Sequence, residues 1–227
     1  DRNIDSLLFD HVIPLSQDIS ADAKWKIHNR ASFLDLTPYD ETVILDADML
    51  FLTDVSHWWD HLAQHELLLT SQVQTYRALP VTNSPYRETF RANKLPDVYS
   101  AFAYFKQTDL TKQFFSLIKS MMLDWNEWTV RYAPLVPQSW PSIDLAMAMA
   151  VSILDCESEV TTKRNYPTFT HMKSGCQGWD RYAEDWRIHL GVYTHNKCLR
   201  LGDYRQSGVL HYVQKDFVTP EILELFQ

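Results

Sequence analysis

The sequence predicts one α/β domain over residues 1–227, a mixed sheet flanked by helices with a β-rich last third. Three observations predict it. The length of 227 residues suits a single large domain with a substantial core, and 45% hydrophobic residues place the chain among globular proteins. Apolar runs at 43–45 and 67–69 lack polar alternation, the pattern of strands covered on both faces, as in parallel sheets. A stretch at 109–124 instead carries apolar residues at helical spacing, and an Ala/Met-rich stretch at 145–154 reads as a second helix.

In chain order, Phe9 to Leu15 is a candidate first strand, ending at Pro14-Leu15. Ser20-Ala21-Asp22-Ala23 opens a helix with Ser20 as N-cap and an acid in the first turn. Ile27, Ala31 and Leu34 make its apolar stripe, Ala21, Trp25, His28 and Ser32 share another face, and Thr37-Pro38 stops it. A strand through Leu45 follows, then a short amphipathic helix from Val55 to Leu62 and a buried strand from Glu66 to Val73. Residues 74–97 are polar, contain three prolines and interleave Tyr76, Arg77, Tyr86, Arg87 and Arg91 without a period, which predicts a loop or lid near a site. A strand returns from Leu95 to Phe105. Thr108-Asp109 then caps a helix through Asp124, with Leu110, Phe114, Leu117, Ile118 and Met121 along its core stripe.

Pro141 marks the start of a helix through Leu154 and puts Asp144 in its first turn, where a carboxylate complements the helix dipole. Strands are expected at Thr168 to Lys173, Trp186 to His195 and Val209 to Val213. All five glycines fall in this last third, as tight turns require. A final helix spans Pro220 to Phe226, with Thr219 as its cap.

The stretch that organises the chain is Thr42-Val43-Ile44-Leu45-Asp46-Ala47-Asp48-Met49-Leu50-Phe51-Leu52. A buried strand runs into two carboxylates spaced i, i+2, which in an extended chain point to one side. Paired aspartates at a strand end are hard oxygen ligands of the kind Mg²⁺ or Mn²⁺ takes. The plain alternative is that they cap a turn or the next helix.

With Arg30 upstream and Leu36-Thr37-Pro38-Tyr39 between, the block around Asp46-Ala47-Asp48 resembles the signature of the glycogenin-like (family 8) glycosyltransferases. The resemblance covers roughly residues 20–63 and implies the GT-A fold, a Rossmann-like mixed sheet. It implies a nucleotide-sugar donor, most simply a UDP-sugar, a Mn²⁺ or Mg²⁺ cofactor and a retaining transfer to an acceptor hydroxyl of a glycan, protein or other molecule. Asp46 and Asp48 would bind the metal, Asp46 touching it or the ribose, and Arg30 would lie near the diphosphate or donor sugar. Gly208-Val209-Leu210-His211-Tyr212-Val213-Gln214-Lys215 resembles the family's C-terminal segment, without its following Gly and Pro-Trp. It makes His211 the third metal ligand and Lys215 a phosphate contact, with His171 a competing candidate for the metal. Tyr99-Ser100-Ala101 stands where the family carries Asn-Ser-Gly, so Ser100 becomes a donor-sugar contact. Asp144 corresponds to an acidic residue opening a helix, a catalytic or acceptor-orienting carboxylate, and the base if the reaction inverts. Asp46 lies too early for the β-α-β unit of about thirty residues that builds the family's uridine pocket. Either a natural N-terminal segment precedes it or that pocket is reduced.

The net charge of −8 argues against a nucleic-acid partner. Eight Trp and eleven each of Tyr and Phe suit a core and also sugar-stacking faces. Cys156, Cys176 and Cys198 are an odd, widely spaced set, read as free thiols of a reducing compartment; with no signal peptide or transmembrane segment visible, the cytoplasm is the expected location. Two other readings compete. A nucleotidyltransferase or phosphohydrolase also uses paired aspartates, but would show a Gly-rich phosphate loop or more carboxylates. A degenerate GT-A module would bind a glycan or a partner without turnover.

Overall fold

The computed structural model describes residues 9–15, 18, 27–161, 167–180, 182 and 185–226. Its architecture is mixed α/β, with three small three-stranded sheets and short and long helices around them. A 3₁₀ segment His28–Ser32 leads into helix α1 (Phe33–Leu36), which ends at Thr37 as the Thr-Pro pair requires. The helix start expected at Ser20 lies outside the described residues. Ala31 is buried, and Ile27 and Leu34 pack beside it, so the expected stripe does face the core. Residues 9–15 form no strand: they pair with nothing along their backbone among the described residues, and Phe9, Val12, Ile13 and Leu15 are exposed.

Strand β1 (Glu41–Leu45) pairs with β4 (Tyr99–Lys106), and β3 (Leu67–Thr70) pairs with the other edge of β4, both antiparallel. The expectation of a parallel strand at 42–45 is therefore corrected. Ile44 packs into one core and Val43 against the other, so the apolar run reflects partial cover on both faces of an antiparallel strand, with only Ile44 buried. Strands β3 and β4 are covered on both faces. Ala103 and Phe105 face a core built with helices α4 (Asp109–Leu123) and α6 (Ile143–Leu154), while Phe102 and Tyr104 face Trp58 and Leu62 on the opposite side. Thr108 caps α4 in a reciprocal arrangement with Thr111, and its buried stripe Phe114, Ile118 and Met121 matches the predicted period. Ser142 caps α6 through the Leu145 amide, so Pro141 stands just before the cap rather than in the first turn. Eight of the residues of α6 are buried, which makes it the hydrophobic centre of the domain.

The helix expected at 55–62 forms as a 3₁₀ turn Ser56–Trp58 continuing into α2 (Trp59–Leu62). The segment 74–97 is not an open lid. It holds a 3₁₀ turn Pro85–Arg87 and helix α3 (Glu88–Ala92), and buried Arg87 and Phe90 nail it to the body. Helix α5 (Trp125–Tyr132) packs on α4 and helix α7 (Glu157–Val160) on α6, neither having been anticipated.

A second sheet joins β2 (Met49–Phe51), β9 (Val209–His211) and β5 (Thr170–His171), antiparallel and parallel respectively. The strand expected over 168–173 thus shrinks to two residues. A third sheet is a meander of β6 (Val192–His195), β7 (Cys198–Leu201) and β8 (Tyr204–Arg205). The strand expected from Trp186 is broken, because Trp186–Ile188 turns as a 3₁₀ helix capped by Asp185. The C-terminal helix α8 (Pro220–Leu223) starts after Thr219 and tightens to 3₁₀ over Glu224–Phe226. All three cysteines are free thiols. No helix among the described residues is long and apolar enough to cross a membrane.

Candidate metal centre and its cleft

The junction between the first two sheets builds the site. Asp46 extends the β1–β4 pairing through its amide to the Ala101 carbonyl at 3.0 Å. Two residues later, the carbonyl of Asp48 accepts from the Tyr212 amide at 3.0 Å, and the chain enters β2 beside β9. The chain turns at Ala47-Asp48, so the two carboxylates converge through a bend rather than along one extended strand. His211, opposite Met49 in the β2–β9 register, completes the set: the ligand atoms of Asp46, Asp48 and His211 all lie within 4.8 Å of one another.

The donor chemistry fits a divalent ion. His211 Nε2 is 3.0 Å from Asp48 Oδ1 and 3.8 Å from Asp46 Oδ2. Two ligands of one ion at about 2.1 Å each are at most about 4.2 Å apart, so both spacings are compatible with sharing it. Two carboxylates and an imidazole suit Mn²⁺ better than the all-oxygen preference of Mg²⁺. Burial works against the charged form of Asp48, but the His211 bond and charge, its own backbone bond and the Arg30 guanidinium together hold its carboxyl below the usual range. Arg30, from the 3₁₀ segment, donates from Nη2 to Asp46 Oδ1. The Nδ1 of His211 is buried and makes no hydrogen bond.

These residues open onto a cleft of about 310 Å³. One wall carries Tyr99, Ser100 and Ala101 from the start of β4; another carries Trp140 to Asp144 from the mouth of α6; the third carries His171, Lys173, His211 and Val213. Asp144 sits among them with both oxygens engaged. Oδ1 accepts from the Ser100 amide (2.9 Å) and hydroxyl (2.6 Å), and Oδ2 accepts from Arg87 Nη1 (2.7 Å). Burial pushes its pKa up, but Arg87 and the two Ser100 bonds outweigh that and hold it below the ordinary value. Arg87 in turn bonds Asp97 and the Val98 carbonyl, with Phe90 and Tyr99 rings 3.7 Å and 4.1 Å from its guanidinium carbon. A carboxylate so occupied is a bracket for the β4 entrance, not an available base.

Of the residues singled out from the sequence, Arg30, Asp46, Asp48, Ser100, Asp144 and His211 meet at this cleft. Lys215 does not; it is exposed in the turn beyond β9 and does not line the cleft. The cation on that side is Lys173, two residues beyond His171, a spacing along an extended chain that was visible in the sequence but not used. Arg87 was noticed only as one of several basic residues, since its partner Asp144 is fifty-seven positions away. Val213 was also missed. Its φ of +70° and a hydrogen bond from Gln214 N–H to the Tyr212 carbonyl (2.8 Å) form a tight three-residue turn of the strained kind, at the cleft wall. A β-branched residue in that region signals a constrained site.

His171 lies beside His211 in the parallel β5–β9 register, with the rings stacked at 4.7 Å, and outside the three-ligand group. Burial and the nearby His211, Lys173 and Arg87 charges keep it well below the ordinary histidine range, so the ring is neutral. Comparison of the chain with protein-family models, curated proteins and solved structures finds no match.

Proposed function

We infer that this chain is a metal-dependent glycosyltransferase of the GT-A type, moving a sugar from a nucleotide-sugar donor, in the first instance a UDP-sugar, to an acceptor hydroxyl. The observation that carries the reading is the convergence of Asp46, Asp48 and His211 at a sheet junction whose cleft also holds Arg30 and Lys173. Asp46, Asp48 and His211 would hold Mn²⁺, or Mg²⁺. The ion supplies Lewis-acid neutralisation of a leaving diphosphate. Arg30 and Lys173, both lining the cleft, add positive charge, where the low local dielectric strengthens their effect on developing phosphate charge. Ser100, with its hydroxyl donated to Asp144, still offers acceptor lone pairs to a sugar hydroxyl.

The stereochemical reading follows from the carboxylates. The cleft is lined by three, of which Asp46 and Asp48 belong to the metal group and Asp144 is bracketed by Arg87 and Ser100. None of the three is placed as an acid–base group, which supports retention. The bond from the anomeric carbon to the diphosphate oxygen breaks, the acceptor oxygen bonds to that carbon on the same face, and the acceptor proton passes to the departing phosphate oxygen.

The same bracketing is the observation that favours the second reading, a GT-A-like module that binds a glycan or partner without turnover. Release of UDP from a panel of UDP-sugars with Mn²⁺, in wild type and Asp48→Asn, separates the two. The enzyme reading expects metal-dependent release lost in the variant; a panel with no release and retained glycan binding would establish the module.

A further inference from the structure

His171 stands out as a polar side chain with nothing to bond. It is 3% exposed and among the described residues neither ring nitrogen has a hydrogen-bond partner, with Nδ1 wholly buried. Aromatic packing alone holds the ring: Tyr99 and Phe169 meet it edge-on at 5.7 Å and 5.6 Å, and His211 stacks on it at an interplanar angle of 28°. An apolar ring would fill this space without an unmet polar group, so the fold bears a cost for placing an imidazole here. Nδ1 has no accessible surface, so a ligand in the cleft meets the ring at Nε2, which bonds no protein group among the described residues. The ring borders the cleft beside two groups that attract oxyanions: the metal group, through His211, and Lys173, two residues beyond the end of β5.

We propose that His171 is a binding residue for the diphosphate portion of the ligand, donating a ring N–H to a phosphate oxygen that spans from the metal group to Lys173. The proposal rests on reading the cleft as a metal–diphosphate site. It assigns His171 a contact with the ligand rather than with the metal, and makes the third wall of the cleft, not Lys215, the phosphate side.

Calorimetric titrations of the whole protein test it, with three probes: Mn²⁺ alone, Mn²⁺ with inorganic pyrophosphate, and Mn²⁺ with UDP. His171→Phe keeps the ring packing and removes the donor; His171→Gln restores an N–H at similar reach, and thermal melts of both report folding. The expected result is that His171→Phe changes Mn²⁺ affinity less than about twofold, weakens pyrophosphate and UDP alike by about tenfold, and is largely rescued in His171→Gln. Weakening confined to UDP would place the contact on the nucleoside and overturn the diphosphate assignment. Equal loss of Mn²⁺ affinity would reduce His171 to a support for His211 and overturn the proposal, as would unchanged binding of all three probes. Wild-type protein that binds Mn²⁺ but no pyrophosphate would overturn the glycosyltransferase reading itself, and this contact with it.

Discussion

The two ends of the cleft are built on opposite principles. At the α6 end every polar atom of Asp144 is matched: Arg87, the Ser100 amide and the Ser100 hydroxyl fill its carboxylate, and Arg87 is clamped between two rings. At the β9 end two buried histidines leave ring nitrogens bare, two carboxylates face an imidazole across 3.0–3.8 Å, and Val213 holds a strained turn. Saturated networks hold a backbone in place, whereas unmet groups gathered in one place are what a ligand satisfies. The comparison sorts residues of the same chemical type, Asp144 against Asp48, into different work.

Breaking the saturated end should cost the most stability. Arg87→Met leaves Asp144 buried and unpaired, an effect of about 3–5 kcal/mol, which in a domain of this size lowers Tm by about 6–20 °C. Differential scanning calorimetry measures it, and a drop of under about 2 °C would show the bracket to be dispensable. At the β9 end, Asp48→Ala should leave Tm nearly unchanged in metal-free buffer while Mn²⁺ affinity, followed by calorimetry, falls by at least about 100-fold.

The acid limb sharpens the contrast. Despite burial, the Arg87 charge and the Ser100 bonds give Asp144 a folded pKa below its unfolded value. Its stabilising contribution is therefore fully present above the unfolded pKa near 3.9 and is lost as pH falls through the folded pKa. Urea unfolding of Asp144→Asn between pH 2 and 6 should show lower stability than wild type above about pH 4, with the two curves converging in acid. The smallest effect belongs to Val213→Gly, which relieves the positive φ. Stability should rise by about 1 kcal/mol, net of glycine's added chain entropy, while binding of Mn²⁺ with UDP weakens as the wall beside His211 loosens.

What the chain disclosed beforehand divides along the same line. Helix α4 was legible from its apolar period, α6 and strands β3 and β4 from continuous apolar runs, and the Asp46-Ala47-Asp48 junction because two acids interrupt such runs. The direction of β1 was not, since a continuous apolar run records burial and not which strand lies alongside. Asp144 was found at its helix start, but its partners were not, because Arg87 and Ser100 come from separate elements far along the chain. Lys215 looked right by its distance from His211 in sequence, whereas beyond the turn at Val213 it is exposed and does not line the cleft.

The most direct measurement is calorimetric titration of UDP into wild type and Asp48→Ala, each with and without Mn²⁺. Binding that requires Mn²⁺ and vanishes in Asp48→Ala is the predicted result. UDP binding of equal strength in all four titrations, or none in any, would contradict a metal-centred donor site at Asp46, Asp48 and His211.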